Sequence, residues 1–126
     1  MAIELNHTIV HAYDKQKSAN FTAEILGLSP PEPMFGHFLV VRTANGVSLD
    51  FIETTDEIVA QHYAFLVSDD EFDQIFGRIK ERGLTYWADP AQSKPGTFNT
   101  HFGGRGLYFE DPAGNLLEII TRPYVA

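Results

Sequence analysis

A chain of 126 residues with 44% apolar side chains is long enough for one domain with a real core, or for two tightly fused halves. Its formal net charge is −8, and its nine Lys and Arg are scattered without a basic run, which argues against nucleic acid and anionic membranes as partners. The absence of cysteine removes disulfides, thiolate metal ligands and a Cys nucleophile together.

The opening residues Met1–His7 carry charge and polarity where a signal peptide would be apolar. No apolar run approaches the roughly 20 residues of a membrane span, so a soluble, cytoplasmic protein is expected. Ile3–Val10 reads as a strand. Residues 14–26 read as a helix with Phe21 and Ile25 on one face, stopped by Gly27. A strand from Phe38 runs into the Asn45-Gly46 turn, and Val47–Ile52 returns from it. After a short polar join at Thr54–Glu57, His62–Val67 reads as a strand. The clearest helix follows over 69–82, with Phe72, Ile75, Phe76 and Ile79 at i, i+3, i+4 and i+7. Ser68 and Glu71 can form its capping box, and Gly83 its stop. Gly83–Trp87 reads as a further strand. Residues 89–104 form a loop rich in Pro, Gly, Ser, Asn and Thr, of the kind that serves as a lid or binding loop. Gly106–Glu110 enters a turn at Asp111-Pro112-Ala113-Gly114, and Asn115–Ile120 is the last strand.

The halves share a register. His7 to Asp14 and His62 to Asp69 are both seven residues, and His7 to Phe21 and His62 to Phe76 both fourteen. Asp50 lies four residues after Gly46, as Glu118 lies four after Gly114. The chain therefore reads β-α-β-β-β twice, about 3–54 and about 59–121, within a single 1–126 domain. The expected fold is α+β, with two tandem βαβββ modules forming a curved mixed sheet around a metal-binding cleft.

The repeat places His7 and His62 on equivalent first strands, and Asp50 and Glu118 on equivalent last strands. Alternation turns each carboxylate away from its apolar neighbours, Leu49 and Phe51 or Leu117 and Ile119. A carboxylate buried in such a strand needs a partner or a cation. Two imidazoles with one or two carboxylates suit a divalent ion, whether Fe, Zn, Ni, Mn or Co, and leave positions open for substrate oxygens or dioxygen. His7, His62 and Glu118 are the expected ligands. Asp50, with its shorter side chain, is the fourth candidate.

At these residues the chain resembles the vicinal oxygen chelate superfamily of glyoxalases, extradiol dioxygenases, fosfomycin-resistance enzymes and bleomycin-resistance proteins. The most specific stretch is Arg105-Gly-Leu-Tyr-Phe-Glu-Asp-Pro-Ala-Gly-Asn-Leu-Leu-Glu-Ile, similar to the family's final strand, turn and strand. The resemblance implies metal ligands at His7, His62 and Glu118. Asp50 falls where glyoxalases carry a fourth ligand, normally Glu. It also implies a homodimer, sometimes with modules paired across chains.

Tyr108 faces opposite to Leu107 and Phe109 and can donate to a substrate oxygen. His101, in the long loop, is the candidate acid–base group, because imidazole moves protons near neutral pH. Trp87, Phe98 and Phe102 are expected to wall an aromatic or apolar pocket. No dinucleotide fingerprint, phosphate loop or serine elbow is present. The leading expectation is a metal-dependent lyase, isomerase or ring-cleaving dioxygenase. Its small organic substrate would chelate the metal through adjacent oxygens. The rival is a protein that sequesters an aromatic compound or antibiotic without turnover.

Overall fold

Asp14 ends the first strand and caps the helix behind it: its carboxylate accepts from the Lys17 amide at 3.1 Å. Gly27, at φ 71, closes that helix in the left-handed conformation that glycine adopts at least cost. The computed structural model describes residues 2–124. Its first half runs β1 (His7–Ala12), α1 (Lys15–Leu26), β2 (Glu32–Met34), β3 (Phe38–Arg42) and β4 (Ser48–Glu53). These strands make one sheet in the order β1-β4-β3-β2, with β1 parallel to β4 and the other pairs antiparallel.

The second half repeats the plan as β5 (His62–Leu66), α2 (Asp69–Glu81), β6 (Tyr86–Trp87), a single 3-10 turn at His101–Gly103, β7 (Gly106–Glu110) and β8 (Leu116–Ile120). Its sheet order is β5-β8-β7-β6, again parallel only at the β5–β8 pair. The Ser68–Glu71 capping box forms as the sequence indicates. The result is an α+β chain of two tandem βαβββ modules, each with its own four-stranded mixed sheet and neither closed into a barrel. The chain divides between Val59 and Ala60 into two compact units. No described helix is long and apolar enough to cross a membrane.

The repeat extends to single backbone bonds. Ser48 N–H donates to Asn6 at 3.1 Å, and Leu116 N–H donates to Gln61 at 2.8 Å. Thr43 N–H reaches Val47 at 2.9 Å across one turn, and Asp111 N–H reaches Asn115 at 2.9 Å across the other. Gly46 and Gly114 supply the positive φ, 85 and 88, that both turns need.

In each unit one sheet face packs on its helix. Unit one buries Leu39, Val41, Leu49 and Phe51 with Ala19, Ala23 and Ile25 of α1. Unit two buries Leu107, Phe109, Leu117 and Ile119 with Phe72, Ile75 and Ile79 of α2. Each large apolar side chain buried this way contributes on the order of 1.5–3 kcal/mol before entropy is counted.

Three expectations change in detail. β1 starts at His7 rather than Ile3, because the first pairing partner on β4 is Ser48 and Ile3 is left 91% exposed. α1 buries Ser18, Ala19, Thr22, Ala23 and Ile25, with Phe21 only half-buried, since small side chains let the helix lie close to the sheet. The strand expected over 83–87 is ordered as a ladder only at Tyr86–Trp87, because Gly83 and Leu84 are spent closing α2.

The second turn is also a clamp. The buried Asp111 carboxylate accepts from the Ala113 and Asn115 amides and from Asn115 Nδ2 at 2.8–3.0 Å. Asn115 Oδ1 in turn accepts from Gln61 N–H at 2.9 Å, tying the turn to the start of β5. Asp111→Ala orphans several of these donors, so it should cost on the order of 1–3 kcal/mol in urea unfolding. An unchanged midpoint would show the clamp to be idle.

Candidate functional site

β5 and β8 alternate in step. His62 pairs with Leu116 and Ala64 with Glu118, while Tyr108 on β7 pairs with Glu118 from the other side. Period-two alternation therefore puts His62, Glu118 and Tyr108 on the same sheet face, the one turned away from α2. Trp87, paired with Tyr108, belongs to that face as well.

Glu118 has no exposed surface. Its Oε1 lies 2.9 Å from His62 Nε2, and its Oε2 accepts from the Tyr124 hydroxyl. The Tyr108 hydroxyl is 3.2 Å from that of Tyr124, and the Tyr108 ring stands 5.6 Å from the His62 ring. The imidazole is the open side of the group, with 45% of its side chain exposed. Burial, the bond to Tyr124 and the charge of Glu118 push the Tyr108 phenol well above the ordinary tyrosine value. Burial and donation to Glu118 raise that of Tyr124. Both phenols are thereby held as neutral donors.

The first unit presents its equivalents differently. His7 is exposed on β1 and bonds Asn6 Oδ1 through Nδ1 at 2.7 Å. Asp50 is half-buried and accepts from Ser48 Oγ at 2.9 Å. His7 pairs with Ser48 and Ile9 with Asp50, the same offsets as in the second unit. Val40 stands where Tyr108 stands.

The long loop is tied back along much of its length. Ala88 and Lys94 are bonded at 3.0 Å, Gly96 and Tyr86 at 2.9 Å, and Asn99 bonds Gly106 in both directions. Phe98 packs its ring 5.8 Å from Phe72 and 5.9 Å from Phe76, both on α2. It therefore lies on the helix side of the sheet, away from Tyr108, because the Asn99–Gly106 bridge fixes the course of the chain there. Phe98, expected in the pocket wall, packs its ring on α2. The Phe102 ring is 5.0 Å from that of Tyr124. His101 is exposed beside it, with the two rings 6.5 Å apart.

Sequence reasoning missed Tyr124. It follows the last strand and has no counterpart in the first repeat, so no register argument reaches it. A tyrosine six residues beyond a candidate ligand was the only available hint.

The donors suit a divalent cation. Two ligands bound at right angles at about 2.1 Å would stand about 3.0 Å apart, close to the 2.9 Å separating His62 Nε2 and Glu118 Oε1. One nitrogen and one carboxylate oxygen are donors that Fe, Mn, Co, Ni and Zn accept. Among the described residues no group of three His, Asp or Glu gathers as a complete set, and His62 with Glu118 stands as a pair.

A model of the Glyoxalase/Bleomycin resistance protein/Dioxygenase superfamily matches residues 4–119. Glutathione transferase FosA of Serratia marcescens is 30% identical over 124 residues, covering 94% of this chain and 81% of that protein. The solved structure of oxidase ChaP-H1 is 60% identical with a TM-score of 0.96, covering 99% of this chain and 100% of its own. Oxidase ChaP-H2 is 59% identical with a TM-score of 0.96, covering 100% of this chain and 98% of its own. The fosfomycin resistance protein FosX of Listeria monocytogenes, tetragonal form, shares the fold at 23% identity and a TM-score of 0.73, covering 100% of this chain and 96% of its own.

The raised phenols give a signed pH dependence. A tyrosine whose folded value lies above its unfolded value of 10.0 contributes stability that is complete below that pH and is lost as pH rises above it. In metal-free protein, Tyr108→Phe should therefore flatten the fall of the urea midpoint between pH 9.5 and 11. Identical slopes for both proteins would show that Tyr108 titrates normally.

Proposed function

The chain belongs to the glyoxalase, bleomycin resistance protein and dioxygenase superfamily, and on that basis we propose that it is a metal-dependent oxidase of a small aromatic compound bearing two adjacent oxygens, with dioxygen as electron acceptor. Membership and the two oxidase neighbours, at 60% and 59% identity, support a metal-dependent enzyme of the glyoxalase and dioxygenase type. The observation that carries the reading is Glu118, wholly buried yet turned to the sheet face without a helix, with an imidazole nitrogen 2.9 Å from its Oε1.

His62 and Glu118 would hold the ion, and His7 and Asp50, at the equivalent positions of the repeat, are the further candidate ligands, Asp50 the weaker. When bound, the ion supplies a Lewis acid for the two substrate oxygens and a place for dioxygen. The rest is work for the chain. Tyr108, whose proton goes to the Tyr124 hydroxyl in this structure, would turn it to a substrate oxygen, and the rings of Trp87 and Phe102 would flank an aromatic body. His101, exposed on the turn before Phe102, is the group that accepts or returns a proton.

The assembled protein is read as a homodimer. Ile9 on the edge strand β1 is 45% exposed and Leu66 on the edge strand β5 is 61% exposed, apolar surface that an isolated chain would leave in water. Light scattering should give twice the 14.1 kDa chain mass.

Purified protein should carry a first-row divalent metal by elemental analysis. It should also consume oxygen with a catechol, lose that activity to a chelator and regain it on metal return. His7→Ala, His62→Ala and Glu118→Ala should each cut metal occupancy at least about tenfold, and Asp50→Ala less. Full occupancy in all three would place the metal elsewhere. Catechol binding without oxygen uptake would instead assign a sequestering protein, and conjugation of glutathione a thiol transferase.

A further inference from the structure

We infer that Tyr124 is a positioning residue that holds Glu118 so that the carboxylate meets its cation through Oε1 alone. The inference rests on the reading of Glu118 as a metal ligand and adds to it the reason one oxygen is free and the other is not. Glu118 has no exposed surface, so its two oxygens must divide their partners inside the protein. Oε1 lies against His62 Nε2, while Oε2 is taken by the Tyr124 hydroxyl. An oxygen that accepts from a phenol is the weaker donor to a cation and is held in direction by that bond, which favours binding through Oε1 alone.

The surroundings hold Tyr124 to this task. Its hydroxyl also meets that of Tyr108 at 3.2 Å. Its ring lies 5.0 Å from that of Phe102, a residue kept at φ 57, a left-handed conformation that an aromatic side chain rarely adopts. Such an outlier is retained where surrounding structure over-determines it. The loop and the tail are pinned side by side. Arg105 N–H donates to Thr121 Oγ1 at 2.8 Å, and Thr121 N–H donates to the Arg105 carbonyl at 3.0 Å. Gly104 allows the approach, since a Cβ there would stand 2.5 Å from Thr121 Oγ1 and 2.7 Å from Arg122 Cγ.

The test is Co(II) titration of the full-length, metal-stripped protein, read by visible absorption. Wild type, Tyr124→Phe, Tyr108→Phe and Glu118→Gln would be compared, with far-UV circular dichroism as the check on folding. Tyr124→Phe should weaken Co(II) binding by about tenfold to a hundredfold, the range seen when a ligand loses its outer hydrogen bond, and should alter the d–d bands. Tyr108→Phe should do less, and Glu118→Gln should abolish binding. A folded Tyr124→Phe protein with wild-type affinity and spectrum would overturn the inference while Glu118→Gln still fails to bind. If Glu118→Gln also binds Co(II) as wild type does, the ligand reading itself falls.

Discussion

Glu118 lies on a sheet face that carries no helix and still has no contact with solvent. An unpaired carboxylate in such a place costs several kcal/mol, so the groups around it are constrained by it. His62 must face Oε1, Tyr124 must donate to Oε2, and Tyr108 must lie behind Tyr124. The last strand, the tail and the loop that carries Phe102 are thereby tied to one side chain. The same arrangement leaves the imidazole partly open.

The two modules surround equivalent carboxylates differently. Backbone pairing, turns and the positions of His7, His62, Asp50 and Glu118 are shared. The differences lie in three side chains of identical register. Ser48 replaces Leu116 and satisfies Asp50 locally at 2.9 Å; Val40 replaces Tyr108; and Asp replaces Glu at the carboxylate itself. Asp50 has a neutral hydroxyl donor on its own strand and some contact with water, so it has less need of a cation than Glu118 has.

Much of this was legible from spacing alone, because a duplicated chain carries its own comparison. Apolar periodicity marks the helices, turn chemistry marks the turns, the offsets from His7 and His62 align the copies and pick out four candidate ligands, and alternation sets the facing of Tyr108. What spacing could not reach was whatever one copy owns alone. Tyr124 has no partner in the repeat. An aromatic residue in a polar loop reads as pocket wall, but the direction of a loop ring depends on the Asn99–Gly106 bridge, a long-range pairing with no local signature. Ile3 to Leu5 look like strand and find no ladder, because strand propensity needs a neighbour to act on.

The central claim is that Glu118 and His62 are ligands of one ion, with Tyr124 on the far oxygen. Anomalous diffraction from crystals of the Co(II)-loaded protein tests it most directly. The account predicts one peak about 2.0–2.2 Å from both His62 Nε2 and Glu118 Oε1, with Glu118 Oε2 bonded to Tyr124 and outside the ion's reach. A peak bound to other side chains, with the His62–Glu118 pair still hydrogen-bonded to each other, would contradict it.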